Sequence, residues 1–393
     1  MRRGPFRKLT ALLLTLTLAL SLCACGGQGA GERGSQTAGS VSWADLTFDQ
    51  PVELQYATQF TAAYSKEGYC RIDIQDGSSC LVVPEGASVP SDVPEEMTIV
   101  QQPLDNIYLA ATSTMDFFRA VDGIGNVTLS SLKADDWYIP EAKNAMENGT
   151  MTYAGKYRAP DYELILSKGC DLALENTMIY HTPEVKEELE SFDIPVLVER
   201  SSYESHPLGR MEWVKFCGIL LGKTTEATAC FQAQVDKLQQ FADLPATGKT
   251  VAFFAITNSG GVTVRKPGDY VAKAIELAGG TYAFRDLKAD ENAQATTTLQ
   301  MEAFYTGAKD ADILIYNSTI EGKIETTEQL LSKCPMLADF KAVQNGNVWC
   351  TTQSLFQESM ELPDLILDMN RVFAAESPNA VNEDELKFLT HVS

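Results

Sequence analysis

Positive charge is scarce in this chain: 31 lysines and arginines face 53 aspartates and glutamates, a formal net charge of −22. That balance excludes nucleic acid as a partner, and it excludes adsorption onto anionic lipid headgroups, since both need a basic surface. Histidine is scarcer still, with only His181, His206 and His391, too few for a site built on several imidazoles and a carboxylate. The cysteines from Cys70 onward (Cys70, Cys80, Cys170, Cys217, Cys230, Cys334 and Cys350) form no CxxC pair and no metal-finger spacing. Catalytic signatures are missing too. There is no G-x-S-x-G, no H-E-x-x-H and no P-loop, and Gly123-Ile124-Gly125 lacks the third glycine of a dinucleotide fingerprint. No enzyme is expected, and no cofactor or metal of its own. Beyond the N-terminus no run is long and apolar enough to span a membrane.

The N-terminus carries the clearest address. Arg2, Arg3, Arg7 and Lys8 precede an apolar stretch from Leu9 to Leu22 that is shorter than a membrane span, followed by Leu22-Cys23-Ala24-Cys25-Gly26. This resembles a bacterial lipoprotein signal over residues 1–24, with Cys25 in the position of the modified cysteine. Cys23 does not fit, because Leu22 would stand at minus one. A Gly/Ser-rich spacer follows, and residues 25–47 read as a flexible tether. The expected location is outside the cytoplasmic membrane, anchored to it by lipid.

About 350 residues remain, which suits two domains better than one. Val41 to Pro103 clusters β-formers around Gly, Pro and Asp turns. A two-residue turn at Asp76-Gly77 pairs Cys70 with Val83 and Cys80 with Asp73, placing the two sulfurs on opposite faces. Beyond it strands alternate with helices: IYLAAT, NVTLSSL, DLALE and IPVLVE as strands, with helices at MDFFRAV, DYELILSKG and TPEVKEELESF. The pattern restarts with TVAFFAITN, DILIYN and NVWC as strands among helices ending at LPDLILDMNRVF. Such alternation implies parallel sheets covered on both faces. Between the two runs lies His206 to Phe241, where Ala227, Phe231, Val235, Leu238 and Phe241 recur every three or four residues, with Thr224 as N-cap and Gly218 and Gly222 marking the break before it. The expected fold is therefore α/β: two Rossmann-like lobes (48–206, including the N-terminal β-rich segment, and 245–393) joined by one long helix in a 207–244 spine.

Three stretches carry a family likeness: GKYRAPDYELILSKGCDLALE (Gly155 to Glu175), MEAFYTGAKDADILIY (Met301 to Tyr316) and DFKAVQNGNVWCTT (Asp339 to Thr352). In this order, behind a lipobox and around a helical spine, they resemble the substrate-binding lipoproteins of ABC importers of the ferric siderophore, haem and cobalamin class. Cys170 replaces a proline common at that point. The resemblance implies capture of a metal chelate between the lobes by a monomer, with iron or cobalt belonging to the ligand. It also implies partners: ABC permease subunits driven by a cytoplasmic ATPase. It assigns permease docking to Glu163 and Glu302, each early in a predicted helix where the dipole favours a carboxylate.

The ligand is expected where loops leave the C-terminal ends of parallel strands. In the first lobe these loops offer Ser113, Thr114, Tyr157, Arg158, Glu175, Asn176, His181, Tyr203, Glu204, His206 and Arg210. In the second they offer Asn258, Ser259, Arg265, Lys266, Tyr270, Trp349 and Phe356. Arginine beside tyrosine suits a ligand with a flat or apolar body and carboxylates or catecholates at its edge. His181 and His206 are the candidates for axial ligation of haem iron, with His391 in a loose C-terminal tail. Two other readings stay open: a receptor for a bare metal ion, and a sensing or adhesive surface lipoprotein that takes no part in transport.

Overall fold

In the stretch Cys70–Ile74, Cys70, Ile72 and Ile74 are buried while Arg71 and Asp73 between them are half-exposed, the period-two pattern of a strand covered on one face. It is the middle strand of the first of three main sheets in a computed structural model that describes residues 41–241, 245–288 and 295–393. The order in this sheet is Gln50–Pro51, Phe60–Tyr64, Cys70–Ile74, Ser79–Val83, Met97–Gln101, antiparallel up to the last pair, which is parallel. The turn at Asp76-Gly77 is one residue longer than expected. Ile74 bonds Ser78 across Gln75-Asp76-Gly77, with Gly77 at φ 91°, so Cys70 pairs with Val82 and Cys80 with Ile72. A one-residue shift turns a strand over, which puts both sulfurs on the same buried face. Both are free thiols, and burial pushes Cys70 up to about 12.

The packed body begins earlier than expected. Val41, Trp43, Leu46 and Phe48 already lie against Leu81 and Val83, and Trp43 N–H donates to Ser91, so residues 41–47 belong to this sheet's outer layer rather than to a tether. Cys25 and the rest of the lipobox lie outside the described residues.

The second sheet is parallel throughout, in the order Val196–Glu199, Leu172–Asn176, Ile107–Leu109, Val127–Ser130, Thr152–Tyr153. The third runs Thr296–Leu299, Val262–Arg265, Thr250–Ile256, Ile313–Tyr316, Val348–Thr351, Leu389–His391, with Thr281–Tyr282 also beside Thr250–Ile256. Its middle is parallel and its edges antiparallel. The sequence reading passes from TVAFFAITN to a helix at DYVAKAIELAGG, found as Tyr270–Leu277, without the strand Val262–Arg265 between them; only Thr257–Gly261 separates that strand from Ile256, too short for a crossover, so the chain returns antiparallel. His391 is likewise no part of a loose tail. Its strand pairs with Val348–Thr351 and its Nε2 lies 2.7 Å from the Gly346 carbonyl.

The connection between the second and third sheets is made by three successive helices, Pro207–Glu212, Val214–Leu220 and Thr224–Gln239. The last has 16 residues and is about 24 Å long, with Ala227, Phe231 and Val235 on its buried face. Gly222, at φ 67°, ends the middle helix. Gly218 does not mark a break: it lies inside Val214–Leu220, where a Cβ would come 2.4 Å from the Ala227 Cβ, so its bareness lets the two helices cross. Lys223, not Thr224, is the N-cap, and the Thr224 hydroxyl instead meets Tyr64 Oη at 2.7 Å.

Candidate ligand cavity

Parallel strands end on loops with free backbone groups, and the two parallel regions here point their loop ends at one another across a cavity of about 820 Å³. From the second sheet it receives Thr112, after Ile107–Leu109; Ser131, Leu132, Lys133, Asp136 and Tyr138, after Val127–Ser130; and Tyr153 and Lys156, at and after Thr152–Tyr153. From the third sheet come Thr319 and Ile320, after Ile313–Tyr316, and Gln353, Phe356 and Gln357, after Val348–Thr351. The volume suits a ligand of several hundred daltons.

The lining is laid down locally. Ser130 Oγ donates to the Leu132 carbonyl and accepts from Leu132 N–H and Trp137 Nε1, turning the chain and seating the indole in the core. Lys133, between Leu132 and Trp137, is exposed. Lys133 Nζ stands 5.6 Å from the Tyr153 ring centroid. Gly155, at φ 86°, begins the tight hairpin that carries Lys156; a Cβ there would lie 2.4 Å from the Ala159 carbonyl. Tyr138 and Ile320 are 42% and 44% exposed, large side chains left uncovered on opposite sides of the cavity. Two ammonium groups and one carboxylate, Asp136, line a space with three aromatic rings, in a chain whose net charge is −22. This lining favours an anionic ligand with apolar faces.

Behind Phe356 the two halves are stitched together. Gln357 Nε2 donates to the Asp136 carbonyl and its Oε1 accepts from Tyr138 N–H, both at 2.8 Å. Ser359 Oγ donates to the Ser113 carbonyl at 3.0 Å and accepts from Arg210 at 3.3 Å. Asp116 accepts from Met360 N–H at 2.7 Å and from Arg119 at 2.6 Å, and Arg119 reaches on to Glu361 at 3.1 Å. Burial pushes the Asp116 carboxyl up, opposed by Arg119 and the Met360 amide. Burial acts in the same sense on Glu361, but Lys387, Arg119 and Lys237 outweigh it and hold that carboxyl low.

Of the residues anticipated from sequence, Phe356 lines this cavity. Arg265 stands behind it, its guanidinium 4.7 Å from the Phe356 ring and 3.4 Å from Asp269. Arg210 is 3% exposed and sits 4.8 Å from the Tyr270 ring, which is itself buried. Burial removes Thr114, Glu175, Tyr270 and Trp349 from the lining. Ser113 lies beside it, its carbonyl spent on Ser359. Asn176 is used locally: its side chain donates to the Ala110 carbonyl and accepts from Met178 N–H. Tyr203 covers Arg200, 4.7 Å from its guanidinium. Tyr157 is half-buried against the second-sheet core, Arg158, His181, Asn258 and Ser259 are exposed, and Lys266 is half-buried, all outside this cavity.

His181 and His206 both lie outside the cavity lining. His206 Nδ1 accepts from Leu208 N–H as a helix cap, and its ring stacks on Tyr56 at 4.9 Å. Neither His206 nor His181 lines the cavity, so neither is placed to ligate haem iron there. Among the described residues no group of three or more His, Cys, Asp or Glu side chains could hold a metal ion. Glu204 serves a structural end: it accepts from Thr58 and Gln59 N–H and from Trp213 Nε1.

The lysines, Tyr138, Tyr153, Thr319, Ile320, Gln353 and Gln357 were not anticipated. NVTLSSL reads as a strand, and the loop-end rule applied to it leads directly to Lys133–Tyr138. Thr152–Tyr153 is too short to show a period, so Tyr153 and Lys156 had no comparable signal. Glu163 and Glu302 are both exposed in the first turn of their helices, Tyr162–Ser167 and Met301–Ala308, and neither takes part in an ion pair among the described residues.

A family model described as periplasmic binding protein matches residues 123–355. Two uncharacterized lipoproteins of Methanocaldococcus jannaschii are similar in sequence. One is 23% identical over 313 residues, covering 77% of this chain and 73% of the relative; the other is 24% identical over 340 residues, covering 82% of each. Among solved structures, a periplasmic haem-binding protein from Pseudomonas aeruginosa superposes with a TM-score of 0.58 at 17% identity, covering 74% of this chain and 100% of that one. A protein of an ABC-type Fe3+-hydroxamate transport system from Saccharomonospora viridis superposes with a TM-score of 0.55 at 17% identity, covering 70% and 94%. At such identities the likeness is one of fold.

Proposed function

Since this chain belongs to the periplasmic binding protein family, we propose that it is the extracytoplasmic receptor of an ABC importer, capturing an anionic metal chelate in the cavity between its two sheets. The observation that carries this reading is the lining itself: Lys133 and Lys156 beside Tyr138, Tyr153 and Phe356, gathered from both halves of an otherwise acidic chain. Siderophore iron, haem and cobalamin all present acidic or polar edges around a broad body. The structural neighbours named for haem and Fe3+-hydroxamate support that range. The two halves act as lobes on either side of the 207–241 helices, and the lipoprotein relatives support a lipid anchor at Cys25. The loaded protein docks on its permease through Glu163 and Glu302, and ATP is hydrolysed on a separate cytoplasmic subunit.

The test is an absorption spectrum and thermal melt of the form beginning after Cys25, with haem, a ferric catecholate, a ferric hydroxamate and cobalamin in turn. A ligand that binds only the native state raises the melting temperature. One of the four should do so and develop a Soret or charge-transfer band shift. Silence across all four removes metal chelates as the ligand class.

A further inference from the structure

The loop from Leu132 to Tyr138 brings four residues to the cavity, and its own half of the molecule secures it through Ser130, which holds Leu132 and the buried Trp137 indole but leaves the backbone groups on either side of Trp137 to another partner. These groups are the Asp136 carbonyl and the Tyr138 N–H, both bonded across to the third-sheet half. Among the described residues a single side chain from the other half meets both, Gln357, 9% exposed and bonded at 2.8 Å to each. A primary amide can give a proton to one backbone group and take one from another, as a neighbouring strand would. Its own backbone is held in place, with Gln357 N–H on the Ser354 carbonyl and Ser359 and Met360 bonded across to Ser113 and Asp116.

We infer that Gln357 is a positioning residue for the cavity: it registers the Lys133–Tyr138 loop against the opposite half, so lysine and tyrosine face the ligand only while the two halves stay apposed. The inference rests on the cavity being the ligand site, and it names the side chain through which occupancy and apposition of the halves become one event. The bonds at Ser113, Asp116 and Arg119 join the halves without Gln357. Its loss therefore releases the Asp136 carbonyl and the Tyr138 N–H without parting them.

The experiment compares full-length wild type with Gln357→Ala and Gln357→Glu by hydrogen exchange over residues 131–139, thermal melting and titration with a ferric catecholate. Alanine removes both bonds; glutamate still accepts from Tyr138 but cannot donate to the Asp136 carbonyl. Both variants should exchange faster in that segment and bind the probe about tenfold more weakly, the cost of ordering the released segment on binding, with the melting temperature nearly unchanged because the released groups are taken up by water. Unchanged exchange over 131–139 overturns the proposal, as does faster exchange with undiminished affinity. If wild type ignores the catecholate, the receptor reading fails for that ligand, while the exchange comparison still decides whether Gln357 holds the loop.

Discussion

Lys215 and Glu212 form an ion pair at 2.7 Å, 2% and 0% exposed, in the spine where the first sheet meets the helices. The carboxylate also accepts from Gln55, Tyr56 and Ala57 N–H, and the ammonium donates to the Glu53 carbonyl. Residues more than 150 positions apart in the chain are thus tied by one buried pair whose hydrogen-bonding capacity is largely used, the condition under which burying charge is tolerated.

Removing one partner is therefore costly. Glu212→Ala leaves Lys215 charged in the interior and three amides without an acceptor, and should lower stability by about 3–5 kcal/mol. Chemical denaturation checks this. A loss below about 1 kcal/mol would show that water enters and replaces the carboxylate.

Glu175 should make stability fall as pH rises. It is 0% exposed, neither carboxyl oxygen makes a well-formed hydrogen bond among the described residues, and burial raises it to about 8 from 4.5, opposed by the nearby Asn176 amide. Between those values the folded chain holds a proton that the unfolded chain has released, so unfolding releases protons and stability declines from about pH 4.5 through pH 8. Glu175→Gln removes the ionisable group. The variant should melt higher than wild type at pH 8 and with a flatter profile from pH 5 to 9, whereas an unchanged slope would mean that Glu175 is hydrated. Asp368, raised by burial to about 6, shapes the lower part of the same profile.

Lys133→Ala and Lys156→Ala should each weaken binding of an anionic chelate roughly threefold to tenfold, with the difference shrinking as salt is added, because exposed charges act through a screened field. Titrations at two ionic strengths provide the measurement. Equal affinity for wild type and the double variant would place the ligand elsewhere.

Glu163→Lys and Glu302→Lys should leave ligand affinity unchanged and abolish uptake in a reconstituted system, since reversal turns an attraction for the permease into a repulsion. Full transport by the double variant would place the permease contact elsewhere on the surface.

Much of the fold is legible locally. Leu172–Leu174 and Ile313–Tyr316 are apolar runs between helical stretches, the pattern of inner strands in a covered parallel sheet. The Ala227, Phe231 and Val235 spacing specifies a helix with one buried face wherever the chain goes next. The cavity was less legible because lining depends on which loop ends face each other across two sheets. Arg210, Arg265, Tyr270 and Trp349 sit near strand ends as expected but turn inward, where Asp269, Ser359 and the surrounding rings satisfy them.

By itself the sequence determined the α/β alternation, the helical connection and the acidic surface, since each follows from residue type and short-range period. Only tertiary structure decided that Cys70 and Cys80 share a face, that His391 ends in a strand, and that Gln357 meets Asp136 and Tyr138 219 to 221 residues before it. Those outcomes depend on a single residue of turn length or on contacts between distant segments. Their stabilising bonds form only once both partners have been brought together, and no local pattern records that.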